Sequence, residues 1–203
     1  MASQLNIINL ALSHIAQSAI TQVQLDANST VETQAALRVW EFARQETLRS
    51  YNWGSAKTQE ALVVTTDYDP AVHTYAYVYP ANCLAIRKVN VQTSIDETIS
   101  GDYKVVYDAD NVALRITTDI EDAWIEYTFD LDTPALFDSA FVVAFAHRLA
   151  AEMAISLNGD PKQAEAQGVL ASNAISEAKR HDYDNKNEPH EANEKSNFVD
   201  ARS

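Results

Sequence analysis

The apolar residues of this 203-residue chain change their spacing twice. Up to about residue 58 they recur every three or four positions, which predicts amphipathic helices. Between residues 60 and 129 apolar and polar residues alternate with a period of two, which predicts β-strands. After residue 133 the helical spacing returns. The sequence therefore predicts an α+β fold. We expect a bundle of about four helices, an antiparallel β insert between helices 2 and 3, and an extended C-terminal tail.

The first two helices have recognisable boundaries. The first is predicted over residues 4–19, and a linker over residues 20–28 follows it. The second helix is predicted to begin with a capping box formed by Ser29 and Glu32, because a hydroxyl and a carboxylate at that spacing satisfy each other's free backbone N–H groups. It is expected to end near the aromatic residue Trp53.

The second helix has two different faces. One carries small and aromatic residues, which predicts close packing; Trp40 and Phe42 are predicted core residues, as is Trp53 just beyond the helix. Arg44 is expected to be solvated or ion-paired. The charged face is predicted to point outward through Arg38, Glu41, Gln45 and Arg49.

Six short β-branched or aromatic runs follow, separated by turn-prone clusters such as Ser100-Gly101-Asp102. Tyr75, Tyr77 and Tyr79 share one side of their run, which predicts an antiparallel meander with one buried face. The boundaries of the third and fourth helices are predicted at Thr133-Pro134, Asn158-Gly159, Asp160-Pro161 and Arg180.

The net charge of −14 is concentrated in the middle of the chain. Residues 1–58 hold four acidic and four basic residues, whereas residues 59–129 hold twelve acidic and four basic ones. This balance argues against tight nucleic-acid binding, which needs lysine and arginine to neutralise phosphates. The single cysteine, Cys83, excludes an intramolecular disulfide. The N-terminus lacks the basic start of a secretory signal, and we expect no segment to span a membrane.

Catalytic and metal-binding motifs are missing from the sequence, so we predict no catalytic residues, no cofactor and no metal. Two other function classes remain open. One is a tail-associated cell-wall hydrolase that uses paired carboxylates, since two acids far apart in sequence can meet in a fold. The other is a monomeric binding module.

Four motifs in order resemble the head-to-tail adaptors of short-tailed phages. This family includes the tail tubular protein A of T7-like phages and the tail accessory factor of P22-like phages. The resemblance covers about residues 4–180. Its motifs are Trp40-x-x-Ala43-Arg44-x-x-x-Leu48-Arg49-x-x-x-Trp53, Tyr75-x-Tyr77-x-x-Pro80-x-x-Cys83-Leu84, Asp132-x-Pro134-x-x-Phe137 and Leu149-Ala150-Ala151.

The resemblance implies a structural virion protein that forms a ring, in that family of twelve copies. Such a ring lies between the portal protein and the tail nozzle protein and encloses the channel through which genomic DNA passes without specific binding. It implies a helical body over residues 1–58 and 130–180, a β insert over 59–129 and a partner-binding tail over 181–203.

The same resemblance implies a role for several residues. Trp40, Arg44, Trp53, Tyr77, Pro80 and Cys83 match the family's motifs and are expected to be structural. The outward face of the second helix is expected to contact the next subunit. Portal contacts are expected at Tyr183, Phe198, Val199 and Arg202, and nozzle contacts at Thr93, Asp96, Glu97 and Asp102.

Overall fold

The computed structural model describes residues 2–91 and 101–187, with side chains described up to His181. This part of the chain is mixed α+β, with five α-helices and six strands. The helices are α1 (Gln4–His14), α2 (Gln22–Ala27), α3 (Val31–Ser50), α4 (Ser139–Asn158) and α5 (Pro161–Asn187). The strands are β1 (Lys57–Ala61), β2 (Tyr75–Val78), β3 (Cys83–Val91), β4 (Tyr103–Asp108), β5 (Ala113–Thr118) and β6 (Ala123–Phe129). We call α1–α5 the helical part and β1–β6 the strand part.

The first helix is shorter than predicted. It ends at His14 rather than at residue 19, because Ala16 has a positive φ of 57° that no α-helix continues through. The predicted linker also contains a helix, α2. The side chains and backbone N–H groups of Thr21 and Gln24 form a reciprocal capping box there, and Asn28 ends the helix in the left-handed conformation.

The long helix α3 begins one residue later than predicted. Its N-cap is Thr30, whose hydroxyl oxygen accepts the N–H of Thr33 at 3.2 Å, while the Thr33 hydroxyl oxygen accepts the N–H of Thr30 at 3.1 Å. The predicted box of Ser29 and Glu32 is therefore wrong. Thr33 is completely buried, so the box that forms is the one that also satisfies a buried hydroxyl.

The start of α4 is also later than predicted. Thr133 precedes a 3-10 turn, Pro134–Leu136, rather than the helix itself. The N-cap of α4 is Asp138, whose Oδ1 accepts the N–H of Phe141 at 2.7 Å. The predicted end is confirmed, because Gly159 has a φ of 62° and terminates the helix in the left-handed region.

The start of α5 is confirmed. Asp160 Oδ1 accepts the N–H groups of Lys162 and Gln163 at the helix start. The helix continues to Asn187 instead of stopping near residue 180, so the prediction of an extended tail is wrong for residues 181–187. Residues 188–203 lie outside the described part of the chain.

The strands form two three-stranded antiparallel sheets, ordered β1-β6-β3 and β2-β5-β4. Antiparallel pairing is confirmed, but the predicted meander is wrong because β6 lies between β1 and β3, and β5 lies between β2 and β4. β1 begins at Lys57, slightly before the predicted insert. One hydrophobic cluster joins the two sheets, with Tyr77 and Ile116 from one sheet and Val89 and Ile125 from the other.

A second, larger cluster fills the helical part. Trp40 packs edge-on against Phe145 with ring centroids 4.8 Å apart, and Trp53 packs in the same way against Phe141 at 5.3 Å. The Trp53 indole N–H donates to the carbonyl of Thr47 at 2.8 Å. The predicted burial of both tryptophans is confirmed.

The helix α4 bears on the expectation that no segment spans a membrane. It is long and apolar enough to cross a membrane by length and composition, with a mean hydropathy of 1.5 over its best window. Buried core helices share this composition, and 44% of that window is already buried inside the fold. Its buried side contacts α1, α3 and α5.

Candidate interaction surfaces

The outward face of α3 carries an exposed aromatic residue. Phe42, predicted to be core, is 53% exposed, which corrects that prediction. A step of two residues turns a helix by roughly 200°, so Phe42 points away from the buried Trp40. The two-residue step from Trp40 to Phe42 is the sequence signal that predicts the exposure of Phe42. Three of the four predicted outward residues, Arg38, Glu41 and Arg49, are exposed on this side of the helix.

The fourth, Gln45, is half-buried, because its side-chain amide donates to Asp130 Oδ2 at 3.0 Å. Of the two expectations for Arg44, solvated or ion-paired, the structure shows the ion pair, and the residue is buried, at 2% exposure. Its guanidinium donates to Glu41 Oε2 at 2.5 Å, and to Asp130 Oδ1 and the carbonyl of Leu131 at 2.6 Å each. Burial lowers the pKa of Arg44, but these carboxylates outweigh it and the net pKa is raised. The bond from Arg44 holds Glu41 in place at the edge of the outward face of α3, the face that carries Phe42.

Arg87 of β3 connects the strand part to the end of α3, and sequence reasoning missed it. Its Nη2 donates to the carbonyls of Arg49 at 2.9 Å and Tyr51 at 2.7 Å, and its Nε donates to the Thr128 hydroxyl oxygen at 2.8 Å. Carbonyls at a helix C-terminus lack partners within the helix, so a guanidinium there satisfies them. No local pattern predicts this contact between residues nearly 40 positions apart.

Glu126 of β6 forms a second connection that the sequence did not reveal. Its carboxylate oxygens accept from Lys57 at 2.8 Å, from Gln59 at 2.7 Å and from Asn52, just after α3, at 2.9 Å. Burial alone would raise the pKa of Glu126, but the hydrogen bonds and the lysine charge lower it overall. The carboxylate is therefore a structural charge with three partners.

The other predicted structural residues lie in the strand part. Tyr77 is buried, and its hydroxyl donates to the carbonyl of Ile120 at 2.7 Å. Pro80 opens a turn in which its carbonyl accepts the N–H of Cys83 at 3.2 Å. Burial raises the pKa of the half-buried Cys83 thiol, which favours the unreactive protonated form.

The predicted nozzle contacts are only partly within the described chain. Asp102 is exposed, just before β4, and its carbonyl accepts the Thr118 hydroxyl at 2.8 Å. Asp119, Glu121 and Asp122 are exposed in the turn between β5 and β6, immediately after Thr118. Asp102 therefore lies at an acidic end of the strand part. Thr93, Asp96 and Glu97 lie outside the described residues.

Most of the predicted portal contacts also lie outside the described residues, namely Phe198, Val199 and Arg202. Tyr183 lies in the last turns of α5, where only the backbone is described. Its backbone belongs to α5, beyond the boundary near residue 180 that was predicted for the body.

A groove of about 460 Å³ runs between α4, α5 and the residues after α3. Its apolar lining includes Trp53, Val143 and Ala178. Polar side chains also line it: Asp138, Glu177 and His181. Val143 is 44% exposed in the groove, so an apolar occupant would bury additional surface.

Two histidine rings stack where α1, α4 and α5 meet. The centroids of His14 and His147 are 4.1 Å apart with an interplanar angle of 15°. Gln167 donates to the carbonyl of His14 at 3.0 Å and its side-chain oxygen lies 2.8 Å from His147 Nδ1, which therefore carries the proton of that bond. Burial, and then the charge of His147, lower the pKa of His14. Among the described residues, no group of three or more His, Cys, Asp or Glu is arranged to hold a metal ion.

No family model matches this chain, and no curated protein sequence matches it.

Proposed function

We propose that this chain is a structural head-to-tail adaptor of a short-tailed phage, which forms a ring between the portal and the tail nozzle and encloses the DNA exit channel. The observation that carries the proposal is the α3 face with Phe42 at its centre. Arg38 and Gln45 lie one helical turn from this aromatic side chain, Arg49 lies two turns along the same side, and Glu41 lies at the edge of that side.

An exposed phenylalanine inside a polar frame is the arrangement typical of an interface hot spot. Aromatic anchors supply much of the binding energy of protein interfaces, and the surrounding polar residues exclude water from them. Both charge signs are present around Phe42, so a second copy of the chain is not repelled by the net charge of the face. The four acidic and four basic residues of segment 1–58 extend this balance beyond α3.

The resemblance to the phage adaptors implies the arrangement of the ring, and the charge distribution is compatible with it. In the proposed adaptor, the helices form a bundle that packs side by side with its neighbours, and the strand part is an insert directed at the nozzle. Asp102, Asp119, Glu121 and Asp122 lie at the acidic end of that insert. An acidic surface repels phosphates, so DNA passing close to it is not retained. The chain beyond α5 docks on the portal.

The test is the mass of the purified chain, alone and mixed with isolated portal rings, for the unmodified protein and for Phe42→Ser. The unmodified chain is expected to form a closed ring on the portal. Phe42→Ser is expected to keep its fold, because exposed substitutions change stability by only about 0.5 kcal/mol. It is expected to fail in ring closure because the aromatic anchor is lost.

Val169→Ser is the matched control, since Val169 is 55% exposed on α5, away from this face. It should assemble like the unmodified chain. Assembly of Phe42→Ser at full strength would show that α3 is not the subunit contact. A chain that stays monomeric and does not bind portal rings would favour the monomeric binding module instead.

A further inference from the structure

The groove between α4 and α5 has no role in the proposed ring contact, which lies on α3. It combines an apolar floor, formed by Trp53, Val143 and Ala178, with carboxylates at its edge. Asp138 already accepts the Phe141 N–H and the Ser55 hydroxyl. Glu177 is exposed, and among the described side chains its ion-pair contacts are long, 3.8 Å to Arg180 and 3.9 Å to His181. The groove therefore suits an apolar side chain followed closely by a cation.

The chain supplies a segment of that chemistry. Sixteen residues, 188–203, follow α5, and the large apolar residues among them are the adjacent pair Phe198-Val199. Arg202 follows three residues after Val199. The aromatic and β-branched pair matches the apolar floor, and the guanidinium, which follows Asp200 and Ala201, matches the Glu177 carboxylate.

The length of this segment allows it to return to the groove of its own chain. From His181, which lines the groove, α5 continues for six residues, or about 9 Å at 1.5 Å per residue. The ten residues from 188 to 197 span up to about 33 Å when extended. The extended length of residues 188–197 exceeds the length of this last part of α5. The segment can therefore reverse direction and bring Phe198 back over Val143.

We propose that in the free protein the segment Phe198–Arg202 docks into the groove of its own chain, with Phe198 and Val199 on the apolar floor and Arg202 beside Glu177. Docking within one chain is favoured over docking between chains because the tether gives the segment a high effective concentration at its own groove. The contact does not depend on the adaptor proposal. If the tail also binds a portal, the groove and the portal compete for the same side chains.

Disulfide trapping in the isolated full-length chain tests the contact. In a Cys83→Ser background, Ala140→Cys places a thiol on the exposed first turn of α4 beside the groove, and Ala201→Cys places one in the segment without removing Phe198, Val199 or Arg202. The control pairs Ala201→Cys with Ile155→Cys, which is 60% exposed on the same helix and about 22 Å further along it. Because Ile155 also lies farther from the end of α5, the decisive comparison is the Ala140 pair with and without Phe198→Ser.

At low protein concentration, the Ala140 pair is expected to form an intramolecular disulfide at least tenfold faster than the Ile155 pair. Adding Phe198→Ser to the Ala140 pair is expected to reduce its rate at least tenfold. Equal rates for the two pairs, or a fast rate that survives Phe198→Ser, would overturn the proposal. A disulfide that appears mainly at dimer mass would overturn it as well, and would assign the groove to a second copy. Portal rings are absent throughout, so a failed adaptor proposal leaves this result unaffected.

Discussion

The helical part and the strand part stabilise themselves by different means. The helical cluster consists mainly of alanine, leucine, isoleucine and aromatic side chains, with Arg44 as its one fully buried charge within the described residues. The strand cluster is smaller, and polar groups are buried around it. Arg115 Nε donates to Asp108 Oδ2 at 3.0 Å, and both side chains are almost completely buried.

This difference predicts different responses to mutation. Apolar packing loses stability in proportion to the volume removed, whereas a buried ion pair loses most when one partner is left alone. Removing apolar side-chain volume should lower the free energy of unfolding most in the helical part. Removing one charge of a buried pair should lower it most in the strand part.

Phe145→Ala is expected to have the largest effect. Phe145 is completely buried on α4 against Trp40 and Phe141, so its truncation should lower the free energy of unfolding by about 3–5 kcal/mol. Chemical unfolding followed by far-UV circular dichroism measures the change. Val143→Ala on the same helix is the control, because Val143 is 44% exposed. Equal losses for the two variants would contradict the view that this cluster is the main source of stability.

Arg115→Met tests the strand part. It leaves the Asp108 carboxylate, 2% exposed, without its cation and should cost about 3 kcal/mol. Replacing both partners, in Arg115→Met with Asp108→Ala, should recover most of that loss, since no charge is then left unpaired. The recovery is incomplete because Asp108 also accepts the N–H and side-chain amide of Asn111. If the stability losses of the two single variants added up to the loss of the double variant, Arg115 and Asp108 would not be coupled.

Local patterns predicted the elements of this fold better than their pairing. Alternation fixes which residues form strands, because it is a property of neighbouring residues. The alternation of apolar and polar residues in β6 would be the same if β6 paired with β5 instead of lying between β1 and β3. The order of the strands in the sheets was therefore not predictable from this pattern. The start of α3 shows the same limit, since Ser29 and Thr30 are both good caps and the burial of Thr33 decides between them.

The candidate surfaces were partly predictable. The charged face of α3 follows from helical spacing, and that spacing also places Phe42 on it once aromatic residues are not assumed to be buried. The contacts of Arg87 and Glu126 join residues far apart in sequence, and no pattern in either strand distinguishes them from solvated charges. Their roles depend on the meeting of β3 and β6 with the end of α3.

The smallest expected effect concerns pH and the histidine stack in the helical part. Burial and the neighbouring His147 lower the folded-state pKa of His14, whereas in the unfolded chain its pKa is about 6.5. Between these two values the unfolded state binds more protons, so the contribution of His14 to stability is fully present above about pH 6.5 and declines as the pH falls towards the folded pKa. Urea unfolding at pH values from 7.5 down to 5.5 should show this decline, and His14→Gln should reduce it. His181→Gln is the control, because that ring is exposed on α5 and should leave the decline unchanged. A His14→Gln variant with an unaltered pH dependence would mean that the stack carries no such linkage, and that the helical part responds to packing alone.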